Sequence, residues 1–195
     1  MKNLILLGLF IPFASSGQKF EVSEMGGYST NFSIVYGYDG SGFSNQLSFN
    51  YRLAKHFSIG AFYELNLWHP SDRGPNNYSY GIIPEFRSKH FYFGVNAAGL
   101  FVNNEHYPTI RWGTNYSSTT VKYMPAFLYG IHTGLNQKIS KHIFLKEQVG
   151  YNNTFLKREV SNVVSNMQGH STYTNNYYSQ QFVYIYILAG VSYRL

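Results

Sequence analysis

The chain has no cysteine among its 195 residues. Disulfides, thiolate nucleophiles and cysteine-ligated zinc are therefore excluded. Charge is scarce too. Asp, Glu, Lys and Arg make up 12% of the residues, about half the ~25% of an ordinary globular protein. Acids are rarer than bases, 9 against 15, for a formal net charge of +6. No run of basic residues accompanies that excess, so a nucleic-acid groove, which needs a clustered basic face, is not indicated. No segment beyond the N-terminus carries the long uncharged apolar run of a membrane-spanning helix. A disordered chain is excluded as well, because it would be rich in charge and poor in aromatics. Aromatic residues instead reach 19%, with 19 Tyr and 16 Phe, and 18 Gly accompany them. That composition points to strands and turns.

The first residues read as an export signal. Lys2 supplies a short positive region, and Leu4 to Phe13 is an apolar run with Pro12 near its end. The small residues Ala14, Ser15, Ser16 and Gly17 follow, as at a signal-peptidase site. The expected division is a signal peptide over 1–17 and one domain over 18–195.

The remainder alternates with period two, the signature of strands with two unlike faces. Phe57, Ile59, Ala61, Tyr63, Leu65 and Leu67 share one face, against Ser58, Gly60, Phe62, Glu64 and Asn66 on the other. Similar faces run through Leu47 to Leu53, Tyr78 to Phe86, Phe91 to Phe101, Pro125 to Leu135 and Val183 to Leu195. Weaker alternation covers Phe20 to Tyr28 and Ile143 to Tyr151. Glu24 and Glu147 interrupt the apolar face there, which suggests a bulge or a rim position. The total is eight strands. Connections near 53–56, 88–89 and 140–141 are tight, and those at 29–45, 68–77, 103–120 and 152–177 are long. Short turns at one end and long loops at the other describe an all-β, eight-stranded antiparallel up-and-down transmembrane barrel of a Gram-negative outer membrane.

Such a barrel must present its apolar faces to lipid. The other face carries Glu21, Arg52, Glu64, Glu85, Arg87, Lys146 and Arg194, together with small residues such as Gly60, Gly94 and Gly130. Eight strands leave a lumen that side chains can fill, so these charges are expected to pair there. Arg52 or Arg87 is expected to meet one of the glutamates. At the short-turn end a dipeptide repeats: Lys55-His56, Lys89-His90 and Lys141-His142 each precede a strand. Three histidines suit a transition metal, but no carboxylate or thiol joins them. The pairs read as a basic rim for anionic lipid head groups, with repeated turn chemistry.

The C-terminus carries a resemblance. The run Ile187, Ala189, Val191, Tyr193 and Leu195 alternates along the final strand, with Tyr two residues before the end. It resembles the assembly signal of bacterial outer-membrane barrels, although the usual terminal residue is Phe or Trp where this chain has Leu195. The whole mature chain is similar to small eight-stranded outer-membrane β-barrel proteins. That resemblance implies outer-membrane lipids and the barrel-assembly machinery as partners, with no cofactor.

Catalytic patterns are sparse. The chain resembles lipid A deacylases in size and fold, and that family places a His and a Ser two residues apart on an outward strand face. The nearest analogue pairs His132 with Gly134, and His132 points inward by alternation. Gly37 to Gly42 lacks the lysine and helix of a phosphate loop. No catalytic, cofactor-binding or metal-binding residue is assigned, and an enzyme is not expected. The long loops hold balanced charge: Asp39, Asp72, Glu105 and Glu159 against Arg73, Arg111, Lys157 and Arg158. Tyr107, Trp112 and Tyr116 in one loop, and Asn152, Asn153, Tyr173, Asn175, Asn176, Tyr177 and Tyr178 in another, form an adaptable contact surface. Three functions follow: a structural or surface-interaction barrel that could meet an extracellular protein or glycan, a narrow channel for small or apolar solutes, or a lipid A-modifying enzyme.

Overall fold

The computed structural model describes residues 20–33, 39–68, 76–112, 115–166, 168 and 170–195. The proposed signal segment lies outside them, as do Lys19, Asp72 and Arg73. Among the described residues there are ten strands: β1 (Phe20–Ser33), β2 (Asp39–Ala54), β3 (Phe57–Trp68), β4 (Asn77–Arg87), β5 (Phe91–Val102), β6 (Glu105–Trp112), β7 (Asn115–Tyr123), β8 (Ala126–Lys138), β9 (Ile143–Asn166) and β10 (Ser171–Arg194).

Eight of them form the ring expected from the sequence, in the order β1-β2-β3-β4-β5-β8-β9-β10, all antiparallel. The ring closes where β1 pairs β10, from Glu21 opposite Arg194 to Ser33 opposite Phe182. At the seam the Leu195 amide also donates to the Phe20 carbonyl at 2.9 Å. A closed ring leaves no sheet edge within its span, which is the condition for crossing lipid with strands.

The pleat sorts the side chains as their alternation requires. Along β5, Phe91, Phe93 and Val95 are exposed while Tyr92, Gly94 and Asn96 are buried. Ile82, Phe86, Phe127, Ile131, Val149, Ile187 and Val191 extend the exposed apolar band around the barrel. An apolar surface of that extent suits lipid and would be a liability in water. The buried set is largely polar, including Ser23, Ser44, Gln46, Ser48, Asn50, Gln148 and Asn152. This is a globular protein turned inside out.

Five expectations need correction. Glu24 and Glu147 sit at no bulge: β1 and β9 hold unbroken register there, and both side chains lie exposed on the outer face. Pro125 precedes β8 instead of belonging to it, consistent with a residue that cannot donate to the ladder. The segment 152–177 is mostly strand, because β9 and β10 each run for 24 residues. The segment 103–120 likewise forms most of the β6–β7 hairpin, and β1 and β2 extend well into 29–45.

β8 pairs β9 only from Lys138 opposite Phe144 to Leu128 opposite Thr154. Beyond that point β7 takes the vacated edge of β9, from Tyr123 opposite Arg158 to Asn115 opposite Asn166. The result is a four-stranded sheet, β6-β7-β9-β10, rising from the long-loop end of the barrel.

Candidate functional site: the lumen and the rising sheet

The short-turn end of the lumen holds an ion cluster drawn from five strands. Glu21 on β1 accepts from Arg87 Nη1 at 2.6 Å, from Arg194 Nε at 2.6 Å and lies 3.3 Å from Lys146 Nζ. Arg87 also binds Glu85 through Nε at 2.8 Å and through Nη2. Glu85 reaches across to His132 Nε2 on β8 at 3.3 Å. Lys146 Nζ stands 4.6 Å from the centre of the Tyr92 ring, and the Arg194 guanidinium 3.7 Å from that of Phe144. Gly94 makes room for this: a Cβ there would press on the His132 ring and on Glu85.

A neutral layer follows. The Tyr92 hydroxyl donates to Gln148 Oε1 at 3.1 Å, and Gln148 Nε2 donates to Gln46 Oε1 and to the Tyr186 hydroxyl, both at 3.3 Å. Gly150 is the matching gap beside Tyr186. A second polar group lies further along, where Glu64 Oε1 accepts from Ser44 Oγ and Asn66 Nδ2, each at 3.1 Å. An apolar cluster of Phe62, Ile83, Ala98, Leu100, Leu128, Leu156 and Tyr184 packs beside that polar group. Ions at the short-turn end, with polar and apolar side chains beyond them, leave the lumen occupied by its own side chains.

The structure thus joins Glu21, Glu85, Arg87, Lys146 and Arg194, but it does not bring Glu64 or Arg52 into their network. Glu64 has no cationic partner among the described residues, and Arg52 makes no ion pair there. Alternation selects the face of a residue, not its height. Arg52 stands opposite Ser58, and Glu64 lies six residues further along β3, a rise of about 20 Å at ~3.3 Å per residue. His132 was not among the expected network residues. Its inward register was readable, but its partner was not.

The repeated Lys-His turns work as backbone clamps. The amides of Arg87, Asn136 and Arg194 donate to the carbonyls of His56, His90 and His142, each at 2.8 Å. The rings of His56 and His142 return the bond, Nδ1 donating to the Arg87 and Arg194 carbonyls at 2.9 Å. Those rings also stack on Phe86 and Tyr193. The His56 and His142 clamps fix the strand ends that carry Arg87 and Arg194, the two arginines of the Glu21 cluster. Lys55, Lys89 and Lys141 are exposed beside the clamps. Along the last strand Ile187, Ala189, Val191 and Tyr193 face outward, and Leu195 lies just past its end.

The rising sheet exposes its aromatics. On β10, Ser171, Tyr173, Asn175, Tyr177 and Ser179 occupy alternate, exposed positions, with Tyr173 at 73% and Tyr177 at 68% exposure. Over residues 171–181, β10 pairs with β9 on one side and, among the described residues, with no strand on the other. Tyr107 and Tyr116 are exposed on the β6–β7 hairpin, while the Trp112 side chain lies outside the described set. Glu105 accepts from the hydroxyls of Tyr123 at 2.9 Å and Tyr107 at 3.2 Å. Burial and the Glu105 carboxylate push the Tyr123 phenol above its usual range. Asn152 and Asn153 do not belong to this surface. Asn152 accepts from Asn96 Nδ2 inside the barrel at 2.6 Å, and Asn153 is buried against the Tyr129 hydroxyl.

No protein-family model matches this sequence, and no curated protein does. Solved structures do share its architecture. Neisserial surface protein A is similar over 91% of this chain and 97% of its own, at 16% identity and a TM-score of 0.59. The outer membrane protein AlkL is similar over 89% of this chain and 90% of its own, at 9% identity and a TM-score of 0.48. A major outer membrane protein from Thermus thermophilus is similar over 89% and 99%, at 10% identity and a TM-score of 0.48. The chain has the fold of the small outer-membrane β-barrels. With its continuous lipid-facing band, it is a barrel of the outer membrane.

Proposed function

We propose that this chain is a surface-interaction protein, in which a filled barrel anchors the rising sheet and the sheet meets an extracellular protein or glycan. The observation that carries this reading is the Ser171-Tyr173-Asn175-Tyr177-Ser179 stripe, exposed on a strand segment that, among the described residues, pairs on one side alone. Tyr supplies large contact area at low entropic cost, and Ser and Asn supply adaptable hydrogen bonds. Supporting it, the Glu21 cluster fills the short-turn end of the lumen, and the Phe62-Leu100-Leu156 cluster fills it further along. That filling weighs against the channel reading. The lipid A-modifying reading is weaker still, since its nearest candidate, His132, is buried in the lumen against Glu85.

The test displays the refolded protein in nanodiscs to glycan arrays and to immobilised extracellular-matrix proteins. Binding that is lost in the Tyr173→Ala, Tyr177→Ala double variant, with unchanged heat-dependent gel migration, supports the reading. Absence of any binding partner, together with steady conductance in planar bilayers, would replace it with the channel.

A further inference from the structure

Two acids stand on the face that meets lipid. Glu24 and Glu147 are exposed on the outer surface, and neither carboxylate has an ion pair among the described residues. Their cross-strand neighbours are apolar: Leu47 and Val191 beside Glu24, Leu135 and Ala189 beside Glu147. An ionisable side chain at membrane depth is costly unless an opposite charge reaches it, so each marks a place where a ligand belongs.

Glu147 also borders a groove. A cavity of about 320 Å³ lies among Phe91, Thr133, Leu135, Glu147, Val149 and Ile187. A second, of about 260 Å³, continues along the seam between β8 and β9 to Ile131 and Tyr151. The two share Thr133 and Val149, short side chains flanked by Phe91 and Phe93 on one side and Ile185 and Ile187 on the other. From Leu135 to Ile131 the groove runs four residues of β8, about 13 Å at ~3.3 Å per residue. The Thr133 hydroxyl is already engaged, donating to the Tyr92 carbonyl at 3.0 Å. What is left is an elongated apolar channel on the outer wall with one unpaired carboxylate at its end. Its complement is a hydrocarbon chain with a cation at its head.

The level of the site specifies the head further. Phe91, Leu135, Glu147 and Ala189 form one cross-strand row, and Phe91 is the first residue of β5. The row therefore lies near the short turns, which face the periplasm in an outer-membrane barrel. Lys89, two residues before Phe91, and Lys138, three after Leu135, are exposed at the same end. Lysine serves as a point charge for phosphate. Carboxylate, lysines and groove thus match the ammonium, the phosphate and one chain of a single amphiphile. A primary ammonium has three donors to offer a carboxylate, whereas a trimethylated one has none.

We propose that Glu147 and the groove over Thr133 and Val149 bind one aminophospholipid of the periplasmic leaflet. Its ammonium sits on Glu147, its phosphate turns toward Lys89 and Lys138, and one chain follows the β8–β9 seam. The site belongs to the wall of the barrel and does not depend on what the surface stripe recognises.

The full chain is refolded in micelles that carry equal amounts of phosphatidylethanolamine, phosphatidylcholine and phosphatidylglycerol with the same acyl chains. Retained lipid is counted by native mass spectrometry. The parent is expected to keep one phosphatidylethanolamine about fivefold over each of the others, the scale of one interfacial ion pair. Glu147→Gln should lose the preference. Val149→Phe fills the groove and leaves the carboxylate, and it should lose the bound lipid itself. Glu24→Gln removes an acid that borders neither cavity and should behave as the parent. Equal retention of the three lipids by the parent would overturn the proposal, as would a lipid-free dimer, which would make this face a contact between copies. A preference that survives Glu147→Gln, or that Glu24→Gln abolishes equally, would overturn it too, by placing head-group recognition elsewhere or in surface charge alone.

Discussion

Replacing Glu21 by glutamine removes the one acceptor shared by Arg87, Arg194 and Lys146. Glu85 is then the single carboxylate beside three cations, two of them well buried. Breaking a buried ion pair from one side costs about 3–5 kcal/mol, because it strands the remaining charge. For a small protein with an m-value of about 2 kcal/mol/M in urea, a loss of about 4 kcal/mol lowers the midpoint by about 2 M. The position adds a topological cost. Glu21 is on the first strand and Arg194 on the last, directly opposite each other, so the same pair ties the seam that closes the ring. The assay is equilibrium unfolding in detergent micelles, followed by tryptophan fluorescence and by the gel shift between folded and boiled protein. Glu64→Gln is the internal control. Glu64 carries no ion pair among the described residues, so its midpoint should stay level or rise. A Glu21→Gln variant within about 0.5 kcal/mol of the parent, the range of ordinary surface changes, would refute the reasoning. The cluster would then be hydrated.

Three further outcomes are expected. Gly150→Leu drives a side chain into Tyr186, and overpacking of that kind costs about 1–3 kcal/mol; a lowered midpoint with less of the folded band on unboiled gels would register it. His56→Ala and His142→Ala each lose one imidazole bond to a strand-end carbonyl, worth about 1 kcal/mol, and zinc titration should leave the stability of the parent unchanged. Tyr193→Asp puts a charge on the lipid face of the closing strand, so the variant should be depleted from outer-membrane fractions.

What the sequence disclosed and what it withheld divide along a physical line. Inside the bilayer a strand must show lipid one unbroken apolar face, so Phe91, Phe93 and Val95 betray their strand to anyone counting by two. Above the bilayer that constraint ends. Residues 157–159, Lys-Arg-Glu, and the Asn- and Tyr-rich start of β10 show no apolar stripe, yet they continue the same strands for several turns of the pleat. They read as loop because the ladder there is held by backbone bonds and by a neighbouring hairpin, not by a buried face. The lumen was half legible for a similar reason. Alternation points Glu21, Glu85 and Arg87 inward, but which charges meet depends on how each strand is staggered around the ring. That stagger brings Glu21 to Arg87, 66 residues away, and leaves Glu64 without a cation. The Lys-His repeat was visible at once, whereas its use as a carbonyl clamp needed the register of the adjoining strand ends.

The account rests on which face of the barrel meets lipid. The chain has no cysteine, so single cysteines can be introduced without background and spin-labelled in a bilayer. Labels at Phe93, Ile131, Val149 and Ile187 should be relaxed by oxygen, which partitions into lipid, and shielded from a water-soluble nickel chelate. Labels at the exposed Tyr173 and Tyr177 should show the reverse. Nickel access at the four barrel positions equal to that at Tyr173 and Tyr177 would place the apolar band in water and contradict the account.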